Sequence, residues 1–168
     1  DLDSRLDFFE GVSKAESFEN DGRANTVFGA KAYENGTTGT DSTYIGAYAG
    51  NSITSGINNT AIGGETLELA TTASNNTATG YLSLSVNTAA NNSAFGSSAL
   101  AANTTGTANT AVGSSALSSN VVGADNTSVG YNALALSTAS DNTAVGSNAL
   151  SSDTTGSHNT ALGYFALK

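Results

Sequence analysis

The sequence predicts an all-β chain, a parallel β-solenoid of about nine 17-residue coils. Three observations lead there. One Gly recurs at Gly29, Gly46, Gly63, Gly80, Gly96, Gly113, Gly130, Gly146 and Gly163, at intervals of 17, 17, 17, 16, 17, 17, 16 and 17 residues. The units aligned on it begin at Asn25, Ser42, Asn59, Asn76, Asn92, Asn109, Asn126, Asn142 and Asn159, and eight of the nine carry Thr in second place. The units are also poor in helix formers and rich in Thr, Asn, Gly and Ser.

In-phase repetition is what separates this chain from a linker. Leu, Ile, Val and Phe total 31 of 168 residues, and so small an apolar share points toward disorder. Yet apolar residues hold their phase. The fourth position reads Phe28, Ile45, Ile62, Thr79, Phe95, Val112, Val129, Val145 and Leu162, and the ninth reads Tyr33, Gly50 and then Leu in every later unit. A flexible tether has no use for such phasing; stacked repeats do.

Within a unit, Asn-Thr-Ala-Val-Gly reads as a short alternating strand ending at the Gly. Alternation sets Thr with Val on one face and Asn with Ala on the other. The expectation is that Thr and the fourth residue point inward, so that the fourth and ninth positions form the core. Residues six to ten are expected to make a second short strand. The tail, as in Ser151 to His158, is turn chemistry. The recurrent Gly suits a corner that needs positive φ or close backbone approach. The two 16-residue units, from Asn76 and Asn126, lose their residue after the ninth position, where a loop absorbs it. Asn in first place is expected to form an amide ladder along the axis, which would let it be buried.

Each coil has few large apolar side chains, so a lone rod is expected to be marginal. Side-by-side association would bury a second face, and small uncharged residues would let rods approach closely. The expected partner is therefore another copy, most simply in a homotrimer.

Residues 1–24 differ. Leu2, Leu6 and Phe9 sit at i, i+4 and i+7, which predicts a short amphipathic helix or a segment capping the first coil, or a junction to a neighbour. Residue 1 is not Met, and the sequence stops at Lys168 inside the ninth unit. The natural chain is expected to extend beyond this segment.

Charge narrows the functions. The net charge is −9, but nine of the 14 acids and four of the five bases lie in residues 1–41. Residues 42–167 hold no Lys or Arg, so phosphate neutralisation and nucleic-acid binding are not expected. No apolar run is long enough for a membrane span. There is no Cys, which removes disulfides and thiolate metal sites. Asp41, Asp125 and Asp141 precede the first position and could hold Ca²⁺, but the Gly-Gly-x-Gly-x-Asp nona-repeat of calcium-binding rolls is absent, so solvated turn acids are expected and no cofactor. His158 has Asp153 and Ser157 nearby in a turn tract, which does not amount to a nucleophile with an oriented base. Catalysis is not expected.

Two surface columns carry binding chemistry. Tyr81, Tyr131 and Tyr164 share the sixth position and could stack on glycan rings or pack between chains. The second-position Thr column would bind ice if it pointed outward on a flat face of a monomer.

The units resemble the head repeats of trimeric autotransporter adhesins and the similar repeats of bacteriophage tail fibres and bacterial tail-fibre-domain proteins. The matching words are Asn-Thr-Ala-Val-Gly (109–113 and 142–146), Asn-Thr-Ala-Ile-Gly (59–63), Asn-Ser-Ala-Phe-Gly (92–96) and Asn-Thr-Ala-Leu-Gly (159–163). The resemblance covers residues 25–168. It implies a left-handed β-roll, three chains per fibre, an extracellular or virion setting, and binding to host surfaces, matrix proteins or glycans. The unit here is longer than that of the autotransporter heads and looks more like the fibre proteins. Two other roles are open: a self-polymerising filament with residues 1–24 docking into the next subunit, and an ice-binding solenoid.

Overall fold

A computed structural model describes residues 23–168. Among these, all regular structure is β. Nine three-residue strands run in chain order: β1 Thr26–Phe28, β2 Thr43–Ile45, β3 Thr60–Ile62, β4 Thr77–Thr79, β5 Ser93–Phe95, β6 Thr110–Val112, β7 Thr127–Val129, β8 Thr143–Val145 and β9 Thr160–Leu162. They form one parallel sheet in the order β1 to β9. Each rung sits in phase on the next, as in Thr110↔Thr127 and Val112↔Val129. The chain is a β-solenoid, and nine rungs at about 4.8 Å make a rod of roughly 40 Å. The helix or cap expected over residues 1–24 falls almost wholly outside the described residues.

The strand faces are opposite to those expected. The middle strand residue is buried in all nine rungs, whereas the second and fourth positions are half-buried or exposed. The core is therefore made by the third, eighth and ninth positions, as in Ala111, Ala116 and Leu117. Only the ninth-position half of the expected core holds.

The first-position Asn decides the face. Asn109 is buried, and its Nδ2 donates across the corner of its own coil to the Gly123 carbonyl at 2.8 Å. Its Oδ1 accepts the Asn126 N–H of the next coil at 3.0 Å. The same axial link, at 2.9–3.0 Å, joins every coil to the next, with Ser42 Oγ replacing an amide in the second coil. With Asn turned inward, alternation takes Ala inward too and sends Thr and Val out. Buried amides with partners on both sides carry no desolvation penalty, so the expected ladder forms.

No second strand forms at residues six to ten. In Ser114 to Ser118, the seventh and ninth positions, Ser115 and Leu117, have φ of 56° and 50°, and alternating backbone hands wind the chain into turns. The recurrent Gly begins this stretch. Gly96 has φ of 137°, and a Cβ there would lie 2.6 Å from the Gly113 backbone. Both the backbone angle and the stacking distance exclude larger residues.

The shortened coils lose one residue between the thirteenth and fifteenth positions. Thr88 keeps its ladder bond to the Thr104 carbonyl, and Asn76 still reaches the carbonyl of Ala89. The missing residue lies in the loop, as expected.

Packing in the second coil is rearranged. There Tyr44 takes the place of the third-position Ala, and Gly50 takes the place of Leu. A Cβ at Gly50 would overlap the Tyr44 ring. Tyr44 stacks on Tyr33 of the first coil with centroids 4.7 Å apart and planes 6° apart. One aromatic pair thus fills the space that Ala and Leu fill elsewhere, keeping interior volume constant along the rod.

Candidate functional site: the outward threonine and apolar face

The outward side of the sheet carries two parallel columns. The second position contributes Thr26, Thr43, Thr60, Thr77, Ser93, Thr110, Thr127, Thr143 and Thr160. None of these hydroxyls has a hydrogen-bond partner among the described residues. The fourth position contributes the apolar column from Phe28 to Leu162, broken once by Thr79, and Ile62, Phe95, Val112 and Leu162 are exposed. No residue in positions two to six of any unit is charged. The face is thus uncharged, periodic along the axis and part apolar, part hydroxyl.

A second Thr column behaves differently. At the thirteenth position the hydroxyls of Thr37, Thr54, Thr88, Thr104 and Thr138 each donate to a carbonyl of the following coil at 2.9–3.1 Å. Those hydroxyls are committed to the rod, and the second-position ones are free for an external partner.

The sixth-position tyrosines stand just beyond the Gly corner. Tyr81, Tyr131 and Tyr164 are 52%, 57% and 75% exposed. Tyr81 leans back one coil: its ring edge lies over Gly64, and its hydroxyl is 3.5 Å from Glu65 Oε1. Tyr164 meets Phe165 edge-on at 4.4 Å.

Stacking also joins groups that the sequence treats separately. Asp125, Asp141 and His158 precede the first position in three successive coils, and His158 Nε2 lies 3.7 Å from Asp141 Oδ2. His158 and Asp141 are both well exposed. Asp41 belongs to the same column near the other end of the rod. Asp153 turns to its own loop, accepting the Gly156 N–H at 2.9 Å, and Ser157 Oγ sits 3.0 Å from His158 Nδ1. Among the described residues no group of three His, Cys, Asp or Glu side chains is placed to hold a metal ion. An open depression of about 420 Å³ lies on the last coil between Leu150, Asp153 and Leu167. Among the described residues no helix is long and apolar enough to cross a membrane.

One structural column escaped the sequence reading. Asn87, Asn103 and Asn120, at the twelfth position, form a second buried amide ladder, with Nδ2–Oδ1 bonds of 2.7 and 3.0 Å. Asn103 and Asn92 both donate to the Gly106 carbonyl at 2.9 Å, which ties the two ladders together. The spacing of 16 and 17 residues, in phase with the first-position Asn, was the available signal. Nothing among protein-family models, curated proteins or solved structures matches the chain.

Proposed function

We propose that this chain is a non-enzymatic segment of an extracellular or virion fibre, a homotrimeric rod that serves as spacer and adhesive surface toward a host protein or glycan. The observation that carries the reading is the outward fourth-position column on an uncharged face. Apolar side chains in rows along a rod favour burial against a like surface. A second copy matches the rung spacing automatically, because it has the same coils. No charge on either face opposes the contact, although the chain as a whole carries −9. The repeat words shared with adhesin heads and tail fibres give the same direction. The test is sedimentation velocity on the intact chain: a trimer is expected, and Val112→Asp with Val129→Asp should release monomers that keep their β circular dichroism. A wild-type monomer would end the fibre reading.

A second reading is favoured by a different feature of the same face. The second-position hydroxyls point outward, lack internal partners and repeat once per coil, which is the arrangement ice binding requires. It predicts a monomer with thermal hysteresis that falls when Thr110 and Thr127 become Tyr. The two readings compete for one surface, so sedimentation and freezing-point measurements on the same sample separate them.

A further inference from the structure

The sixth-position column holds a pattern that neither reading uses. From the fourth coil to the ninth it reads Tyr81, Ser97, Ser114, Tyr131, Ser147 and Tyr164. These are three aromatic rings separated by small hydroxyl side chains, in six consecutive coils. Backbone bonds from Ser98 to the Tyr81 carbonyl and from Asn148 to the Tyr131 carbonyl keep the column in line. At about 4.8 Å per coil, Tyr131 stands roughly 14 Å from Tyr81 and Tyr164 roughly 10 Å beyond it.

We propose that this column is a binding track for a neutral, extended, β-1,4-linked polysaccharide lying parallel to the rod axis. The inference rests on the adhesive reading above and names its ligand class. Three features of the column point to that ligand. First, all three rings are more than half exposed, and Tyr81 leans along the rod over Gly64 of the preceding coil rather than standing away from it. Aromatic faces stack on the apolar C–H faces of pyranose rings, while the phenol hydroxyls stay wet. Second, an extended β-1,4-linked chain advances by nearly one coil height per sugar, so the gaps of three and two coils return a sugar to each Tyr. Ser97 and Ser114 are exposed between the rings and offer hydroxyls to the sugars that no Tyr covers. Third, residues 42–167 contain no Lys or Arg. A sulfated, sialylated or uronic-acid chain would meet a single cation, Lys168, at the last coil over the Phe165 ring, and Glu65 beside Tyr81 would repel it.

The test is titration calorimetry of the intact chain with cellohexaose and chitohexaose, with maltohexaose and heparin as comparisons. One or both β-1,4-linked hexaoses should bind, and maltohexaose and heparin should not. Tyr81→Ala, Tyr131→Ala and Tyr164→Ala should each weaken binding roughly 2- to 12-fold, and the Tyr→Phe forms should retain it. The triple Ala variant should lose binding while its circular dichroism and sedimentation stay unchanged, because the rings lie outside the core. Absence of hexaose binding, or a triple Ala variant that binds as wild type, would overturn the proposal. So would preference for heparin, or loss of assembly in the triple variant, which would place the rings between copies. Sugar binding by a monomeric wild type would sink the trimer and leave the track standing.

Discussion

Replacing Asn109 by Ala removes one rung of the internal amide ladder. The side chain makes three bonds: Oδ1 accepts from Asn126 N–H and from Asn126 Nδ2, both at 3.0 Å, and Nδ2 donates to the Gly123 carbonyl at 2.8 Å. The Asn126 N–H has no second acceptor, so it becomes a buried orphan. The other two partners keep one bond each, Asn126 Nδ2 to the Ala139 carbonyl and the Gly123 carbonyl from Asn120. An orphaned buried donor costs about 1–3 kcal/mol, and two lost neutral bonds together cost about 1–3 kcal/mol, for a total of about 2–6 kcal/mol. At about 2–4 °C per kcal/mol for a chain of this size, Tm should fall by roughly 4–24 °C. The control is Thr107→Ala, two residues away and exposed, where a surface change should stay within about 0.5 kcal/mol. Thermal melts by circular dichroism at fixed protein concentration measure both. Equal shifts in the two variants would refute the assignment of the first position to the interior.

Five further substitutions probe packing. Gly96→Ala and Gly163→Ala share the positive-φ strain, but only Gly96 would place its Cβ 2.6 Å from the next coil, where Gly163 has no neighbour within 4 Å; urea denaturation should show Gly96→Ala as clearly the more damaging of the two. Ser83 is buried with no partner for its Oγ among the described residues, so Ser83→Ala should stabilise the fold by about 1 kcal/mol, and a lower urea midpoint would contradict this. In the second coil, Tyr44→Ala should cost about 3–5 kcal/mol. Gly50→Leu alone should also destabilise because its side chain meets the Tyr44 ring, while the double variant restores the Ala and Leu of other coils. A double-mutant cycle should therefore show favourable coupling of about 0.5–3 kcal/mol, and simple additivity would count against the volume exchange.

Much of the architecture was legible because the coil itself is repeated. A Gly every 16 or 17 residues, with Asn-Thr before it and Leu after it, contains the unit length, the number of rungs and the place of the shortened loops. What the sequence did not disclose was the sense of the alternating strand. Thr110 with Val112, or Asn109 with Ala111, could each have faced the core, and hydrophobicity alone favours the pair containing Val. The structure takes the other pair because Asn109 has acceptor and donor partners inside its own and the next coil. Three-dimensional hydrogen bonding outweighed the apolar pattern at that point. The turn conformation of residues six to ten was hidden for a similar reason: Leu117 at φ of 50° is a backbone state that its residue type does not announce.

The surface columns divide in the same way. Tyr81, Tyr131 and Tyr164 were already in phase by count, and stacking placed them on one edge. The His158–Asp141 pair was in phase by the same count, since each directly precedes a first-position Asn, but the 3.7 Å approach of His158 Nε2 to Asp141 Oδ2 depends on side-chain directions that spacing does not give. The consequence of the reversed face is the largest one. The apolar column expected inside now lies outside, which strengthens the case for association while freeing the Thr hydroxyls that the ice-binding reading needs.

The central claim is that each coil lies directly over the one before it. The chain has no Cys, so spin labels can be placed on the exposed thirteenth-position column at Thr37, Val121, Thr138 and Thr154. Double electron–electron resonance on samples diluted with unlabelled chain should give distances from Thr37 that grow with coil number, about 24, 29 and 34 Å, because each coil adds about 4.8 Å. Distances that fail to rise in equal steps would contradict the stacked solenoid.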